Sequence, residues 1–248
     1  MRIEMSKIKM TLNNHSNPVW SIAVLQNGDL ASGSNDGTIE IWNLDTGSVK
    51  MTLNYHSNRV SSLAVLQNGD LASGSWDTTI KIWNLDTGSV KMTLKYYSSS
   101  VSSLAVLQNG DLASGSSDKT IRIWNLDTGS VKMTLNYHSS GVRSLAVLQN
   151  GDLASGSDNG TIKIWNLENG SVKITLNNHL NEVKSLAVLK YGDLASGSDN
   201  GTIKIWNLEN GSVKMTLNNH SGSVRSLAVL KNGDLASGST DQTIKIWN

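Results

Sequence analysis

"HSNRVSSLAVLQNGDLASGSWDTTIKIWN", residues 56–84, carries the signals that decide the fold. "VSSLAVL" (60–66) and "GDLASGS" (69–75) read as strands joined through "QNG", whose Asn-Gly pair suits a tight hairpin with positive φ. "TIKIWN" (79–84) alternates apolar and polar side chains, as does "SVKMTL" (89–94) just beyond it, the pattern of half-buried strands. The "LDTG" between those two is turn composition. Four strands with hairpin-length connections and no helical periodicity make an antiparallel meander.

Working outward, "IWN" recurs at 41–43, 82–84, 123–125, 164–166, 205–207 and 246–248, always 41 residues apart. The chain is therefore six units, 3–43, 44–84, 85–125, 126–166, 167–207 and 208–248, within one domain spanning 1–248. A single four-stranded sheet cannot bury its own faces, so successive sheets must pack on one another. The expected fold is all-β: a six-bladed β-propeller of four-stranded antiparallel blades.

At this point the stretch 56–84 resembles the WD-repeat family, and the resemblance covers nearly the whole chain because the His, strand and Trp spacings recur in register. Two departures are systematic: Asn or Tyr replaces the Gly before the His, and Asn replaces the Asp after the Trp. The chain opens in "KIKMTL" (7–12), the outermost-strand segment, and stops at the third strand of a unit. The resemblance thus implies a ring closed by the N-terminal strand joining the C-terminal blade. Closure costs roughly 5 kcal/mol of chain entropy. Burial of Ile8, Met10 and Leu12 returns about 1.5–3 kcal/mol each.

Five histidines, His15, His56, His138, His179 and His220, sit on the 41-residue lattice, one per unit, so they cannot converge on one metal ion. The resemblance implies that each His bonds an Asp in the turn between strands two and three. A Ser on strand two and the Trp indole join the same network. In units one, two and six the sets are His15, Ser32, Asp36, Trp42; His56, Ser73, Asp77, Trp83; and His220, Ser237, Asp241, Trp247. Unit three has Tyr97 in place of His, and units four and five have Asn159 and Asn200 in place of Asp. These three blades are expected to open first, since an ionised partner makes the stronger hydrogen bond. A hydrolase reading of Ser, His and Asp fails: the Ser lies in a strand and the set recurs, whereas a triad is needed once.

The units differ from one another in two places, the link after the His and the turn before the recurrent Thr-Ile pair. Strand direction reverses at each connection, so both places fall at one end of the meander, the channel-mouth face of a WD-repeat propeller. The variable residues there are Pro18, Trp20, Asn35, Arg59, Trp76, Arg143, Asp158, Glu182, Lys184, Asp199 and Arg225, the expected partner-binding set. Trp20 and Trp76 stand off the structural lattice, and Arg59 falls between them in blade order, where it can stack on either ring. The charges read as a mixed field that favours a peptide carrying both signs.

Formal charge is +1, with 21 basic and 20 acidic residues and no charged block, which argues against nucleic-acid and membrane-surface binding through bulk charge. The absence of cysteine removes disulfides and thiol chemistry. "MRIEMSKIKM" lacks the apolar core of a signal peptide, so an intracellular protein, cytoplasmic or nuclear, is expected. The function expected is a non-catalytic, monomeric scaffold for a protein or peptide ligand, without metal or cofactor. The alternative is a structural or oligomerising repeat segment of a larger protein, its repeats recently amplified or idealised.

Overall fold

Each hairpin follows from its turn residues. In unit two, Gly69 adopts φ 87° and lets the Leu66 N–H reach the Asp70 carbonyl at 2.8 Å. The computed structural model describes residues 10–95 and 98–248, and all their regular structure is strand. Blade one is Val19–Val24, Leu30–Ser34, Ile39–Trp42 and Val49–Leu53. Blade two is Val60–Val65, Leu71–Ser75, Ile80–Trp83 and Val90–Leu94. The pattern repeats to give a six-bladed β-propeller of antiparallel meanders, with sequence neighbours adjacent in every sheet.

The core lies between blades rather than within them. Ile80, Ile82 and Leu94 of blade two meet Val101, Leu104, Leu112 and Trp124 of blade three in one buried cluster, and equivalent clusters occupy the other junctions from one to six. Glycine on strand two makes this possible. A Cβ on Gly74 would stand 2.7 Å from Val101 Cγ1, so only a residue without a side chain admits the next blade so closely.

Two irregularities recur. The opening strand of each blade carries a bulge just after its first Val, as between Val60 and Ser62, and the outermost strand shifts register beside the Trp, as at Trp83 opposite Val90. Across the second of these, Lys91 Nζ reaches Asp70 at 2.6 Å, and the pair recurs in blades one to five.

The sixth sheet has three strands among the described residues, Val224–Val229, Leu235–Ser239 and Ile244–Trp247. The closing strand expected over 7–12 falls partly outside the described residues, Ile8 included, and residues 10–12 form no strand. Opening strands pack blade on blade from one through six, but no packing of that extent joins blade six to blade one. Ile22 and Ile244 are accordingly 64% and 76% exposed, while their blade-two counterparts Leu63 and Ile80 are buried.

Candidate functional site at the channel mouth

Beneath the site, the polar network sets the position of each loop. His56 Nδ1 lies 2.7 Å from Asp77 Oδ2, its Nε2 lies 2.7 Å from Ser73 Oγ, and the Trp83 indole N–H donates to the same Oγ at 2.8 Å. Only one proton order fits a neutral ring. Nδ1–H donates to the carboxylate, the serine O–H donates to Nε2, and the serine oxygen accepts from the indole. His15, Ser32, Asp36 and Trp42 repeat this geometry, as do His220, Ser237, Asp241 and Trp247. Asp77 also accepts from the Thr79 and Ser57 backbone N–H groups and from the Thr79 hydroxyl, so it pins link to turn. Burial works against ionisation of these carboxylates, but the hydrogen bonds outweigh it. Asp36 is held at about 2, and Asp77 and Asp241 also lie well below the usual range. The threonine was legible beforehand as the recurrent Thr two places after the Asp.

Blades four and five differ. His138 Nε2 keeps Ser155 at 2.7 Å, but Asn159 turns its amide to Ser139 and its oxygen to Thr161. Burial, with nearby Lys163, lowers His138 to about 4, and burial with Lys204 lowers His179 to about 4. In blade three Tyr97 lies outside the described residues, and Asp118 bonds Thr120 and Arg122.

Above this network, link and turn of each blade are joined by one backbone hydrogen bond, at 2.9 Å from Trp76 N–H to Arg59 O and at 3.0 Å from Asn35 N–H to Pro18 O. Glu182 with Asp199, and Gly141 with Asp158, are linked in the same way. Trp20, Arg143, Lys184 and Arg225 are each the extra residue of the opening-strand bulge. A bulge re-aims its side chain, which is how a strand position joins a loop surface. Sequence reading saw these positions vary but had no signal for the bulge.

Blades one and two present one stacked assembly. The Arg59 guanidinium sits 3.8 Å from the centroid of Trp20 and 3.9 Å from that of Trp76, and its Nε donates to Asn35 Oδ1 at 2.7 Å. Both rings remain about two-fifths exposed, at 42% and 41%. Blades four to six form a second cluster. Arg143 grips Asp158 through Nε and Nη2, and its Nη1 reaches Ser117 at 3.1 Å. Lys184 bonds Glu182 and lies 3.8 Å from Asp199, which also accepts from Ser223 at 2.8 Å. Asp158 is thus paired by Arg143, while Glu182 and Asp199 share Lys184, so one acid charge is left unmatched. Arg225 makes no ion pair among the described residues, and it lies near enough to join burial in lowering Arg59 and Lys184.

The chain is similar to known proteins along its length. The family model "WD domain, G-beta repeat" matches residues 6–43, 47–84, 88–125, 129–166, 170–207 and 211–248. The WD40 beta propeller domain of Doa1 superposes with a TM-score of 0.83 at 32% identity, over 92% of this chain and 77% of that one. A chain in the crystal structure of the mitotic checkpoint complex superposes at 0.88 over 95% of this chain and 76% of that one; at 24% identity that likeness is one of fold. No curated protein matches the sequence. No helix among the described residues is long and apolar enough to cross a membrane.

Proposed function

The chain belongs to the WD40 repeat family, and from that premise we propose that it is a non-catalytic scaffold whose channel-mouth face binds a protein segment carrying a carboxylate. One observation carries the reading: a guanidinium held between two indole faces. Stacking and the Asn35 bond restrict Arg59 before any ligand arrives, so little side-chain entropy remains to be lost on binding. With Nε engaged, its terminal nitrogens are left for a bidentate acceptor. Exposed Trp and Arg in one cluster is also the composition of a binding hot spot.

The internal pairing of Asp158, Glu182 and Asp199 changes the expected ligand. A peptide of mixed sign fits a mouth with free charges of both signs in balance, whereas here the unpaired cations Arg59 and Arg225 outnumber the one acid charge that Lys184 leaves unmatched. An acidic segment spanning the two supports the geometry best. The non-catalytic reading rests on the Ser-His-Asp sets. They stand inside the blades, with Ser73 and Ser237 fully buried, beyond the reach of a substrate.

The test is capture from a random peptide display library by wild-type protein, with affinities then measured on Trp20→Ala, Arg59→Ala, Trp76→Ala and Arg225→Ala variants. Enrichment of Asp and Glu, with at least tenfold weaker binding by Arg59→Ala, is the expected result. Ligands that bind all four variants as tightly as wild type move the function off this face.

A further inference from the structure

The face opposite the channel mouth is built from two nearly constant turns per blade, and unit five departs from the pattern. In the turn between strands one and two, an Asn normally holds the Asp two places on by both ends of its amide. Asn150 Nδ2 donates to Asp152 Oδ2 at 2.9 Å, and Asn150 Oδ1 accepts from the Asp152 N–H at 3.1 Å. Asn27, Asn68, Asn109 and Asn232 do the same. In units one to four a Gln also bridges to the next blade, as Gln149 Nε2 does to the Lys190 carbonyl at 3.1 Å. Unit five reads "KYG" where those four read "QNG", so Lys190 and Tyr191 give up both sets of bonds. The Asp193 side chain is left 25% exposed, against 10% for Asp152, and Tyr191 itself is 88% exposed. A turn that forgoes its own hydrogen bonds to display a ring breaks the local rule, as functional positions do.

Tyr191 lines a groove of about 500 Å³ between blades four and five. Equivalent grooves between blades two and three and between three and four have no aromatic lining. Leu148, Ile164, Ile174 and Leu208 supply the apolar part of the wall. Each blade adds an ion pair, Lys173 with Asp152 and Lys214 with Asp193. Each of these lysines turns to both oxygens of its carboxylate and keeps a donor for a ligand. Asn207 Oδ1 accepts from the Glu209 N–H at 2.7 Å. The Asn207 amide N–H groups and the Glu209 carboxylate have no partner among the described residues, and both line the groove.

Charge and bonding pattern select the ligand. The acids Asp152, Asp193 and Glu209 are balanced by Lys173, Lys214 and Lys190, whose Nζ lies 5.7 Å from the centroid of the Tyr191 ring. A balanced site has no net charge with which to gather an ion. It offers donors and acceptors side by side, next to an open aromatic face. A hydroxyl donates and accepts through one atom, and adjacent hydroxyls on a six-membered ring leave a C–H face for the aromatic. We infer that this groove is a saccharide-binding site, with a pyranose lying on Tyr191 and its hydroxyls bonded to Glu209, Asn207, Lys173 and Lys214. The volume lies in the ordinary range for small-molecule sites, about 300–1,000 Å³. The site is on the far face of the disc and is independent of what the channel mouth binds.

The probes are maltose, cellobiose, lactose and diacetylchitobiose, each titrated to tens of millimolar onto the full chain and followed by amide NMR shifts. Saturable shifts over 190–193 and 207–209 with at least one probe are expected, at an affinity that added salt leaves unchanged. Tyr191→Asn restores the turn of the other units and so keeps the fold; it should weaken binding at least about tenfold. Glu209→Gln keeps the size of the side chain and should weaken binding several-fold. Four results overturn the proposal. No probe gives saturable shifts; Tyr191→Asn binds as tightly as wild type; the affinity collapses in salt, showing an ionic contact; or peptides from a display library shift these same two turns where no sugar does, showing that the occupant is a protein.

Discussion

Acidification should unlock this propeller blade by blade, beginning with four and five. His138 and His179 are buried, lack an aspartate on Nδ1, and are lowered from 6.5 to about 4 by burial first and a nearby lysine second. The unfolded chain takes up these protons first, so their contribution is whole above pH 6.5 and falls away as the pH drops toward 4. The shift from 6.5 to about 4 is worth about 3 kcal/mol for each histidine. Blades one, two and six lose stability in the same direction but in a lower pH window, because Asp36, Asp77 and Asp241 are lowered by their hydrogen bonds. Their contribution persists above the ordinary carboxylate value and is lost only as the pH falls below it. Hydrogen exchange at pH 7, 5.5 and 4.5, corrected for intrinsic rates, separates the two windows. Opening free energies over 153–165 and 194–206 should fall by about 3 kcal/mol toward pH 4, with those over 71–83 nearly constant. Asn159→Asp with Asn200→Asp should remove most of that fall by giving each ring an anionic acceptor. A uniform decline in all blades, or a double variant with the wild-type pH profile, would refute the reasoning.

Other outcomes follow from single contacts. Gly115→Ala drives a Cβ to 2.7 Å from Val142 Cγ1 and should lower the denaturation free energy by about 1–3 kcal/mol, whereas Gly238→Ala, with no blade against it, should cost less in the same urea titration. Ser155→Ala strips the partner from the buried Trp165 N–H and His138 Nε2, for a loss of about 1–3 kcal/mol by the same assay. Thr78 holds φ 71° where blades one, four and five have Gly, so Thr78→Gly should raise the thermal midpoint, with a gain of up to about 1 kcal/mol. Lys132→Ala removes a half-exposed ion pair with Asp111 and should cost at most about 1 kcal/mol, a difference that vanishes in 1 M salt.

Much of the site was legible before any coordinates. Trp20 and Trp76 stood out against the lattice, and Arg59 was placed between them by blade order alone. Stacking on both rings at once, with Asn35 holding Nε, required distances between blades. The charged residues were found but their pairing was not. Arg143 takes up Asp158 and Lys184 takes up Glu182 because bulges turn strand residues toward the loops. The lysine–aspartate pairs left a trace, 21 residues apart in five units, that periodicity alone could not distinguish from two unrelated surface charges.

By itself the sequence determined what one unit settles alone: four strands from alternation and Asn-Gly turns, and a variable end distinct from a constant one, with the hydrogen-bonded His, Ser, Asp and Trp following from the family resemblance. These depend on local backbone preference and on contacts within 41 residues, repeated without change. Tertiary structure decided what forms between units. The approach of each blade to the next is set by side chains packed over strand-two glycines, and among the described residues no packing of that extent joins the last blade to the first. No single unit contains those junctions.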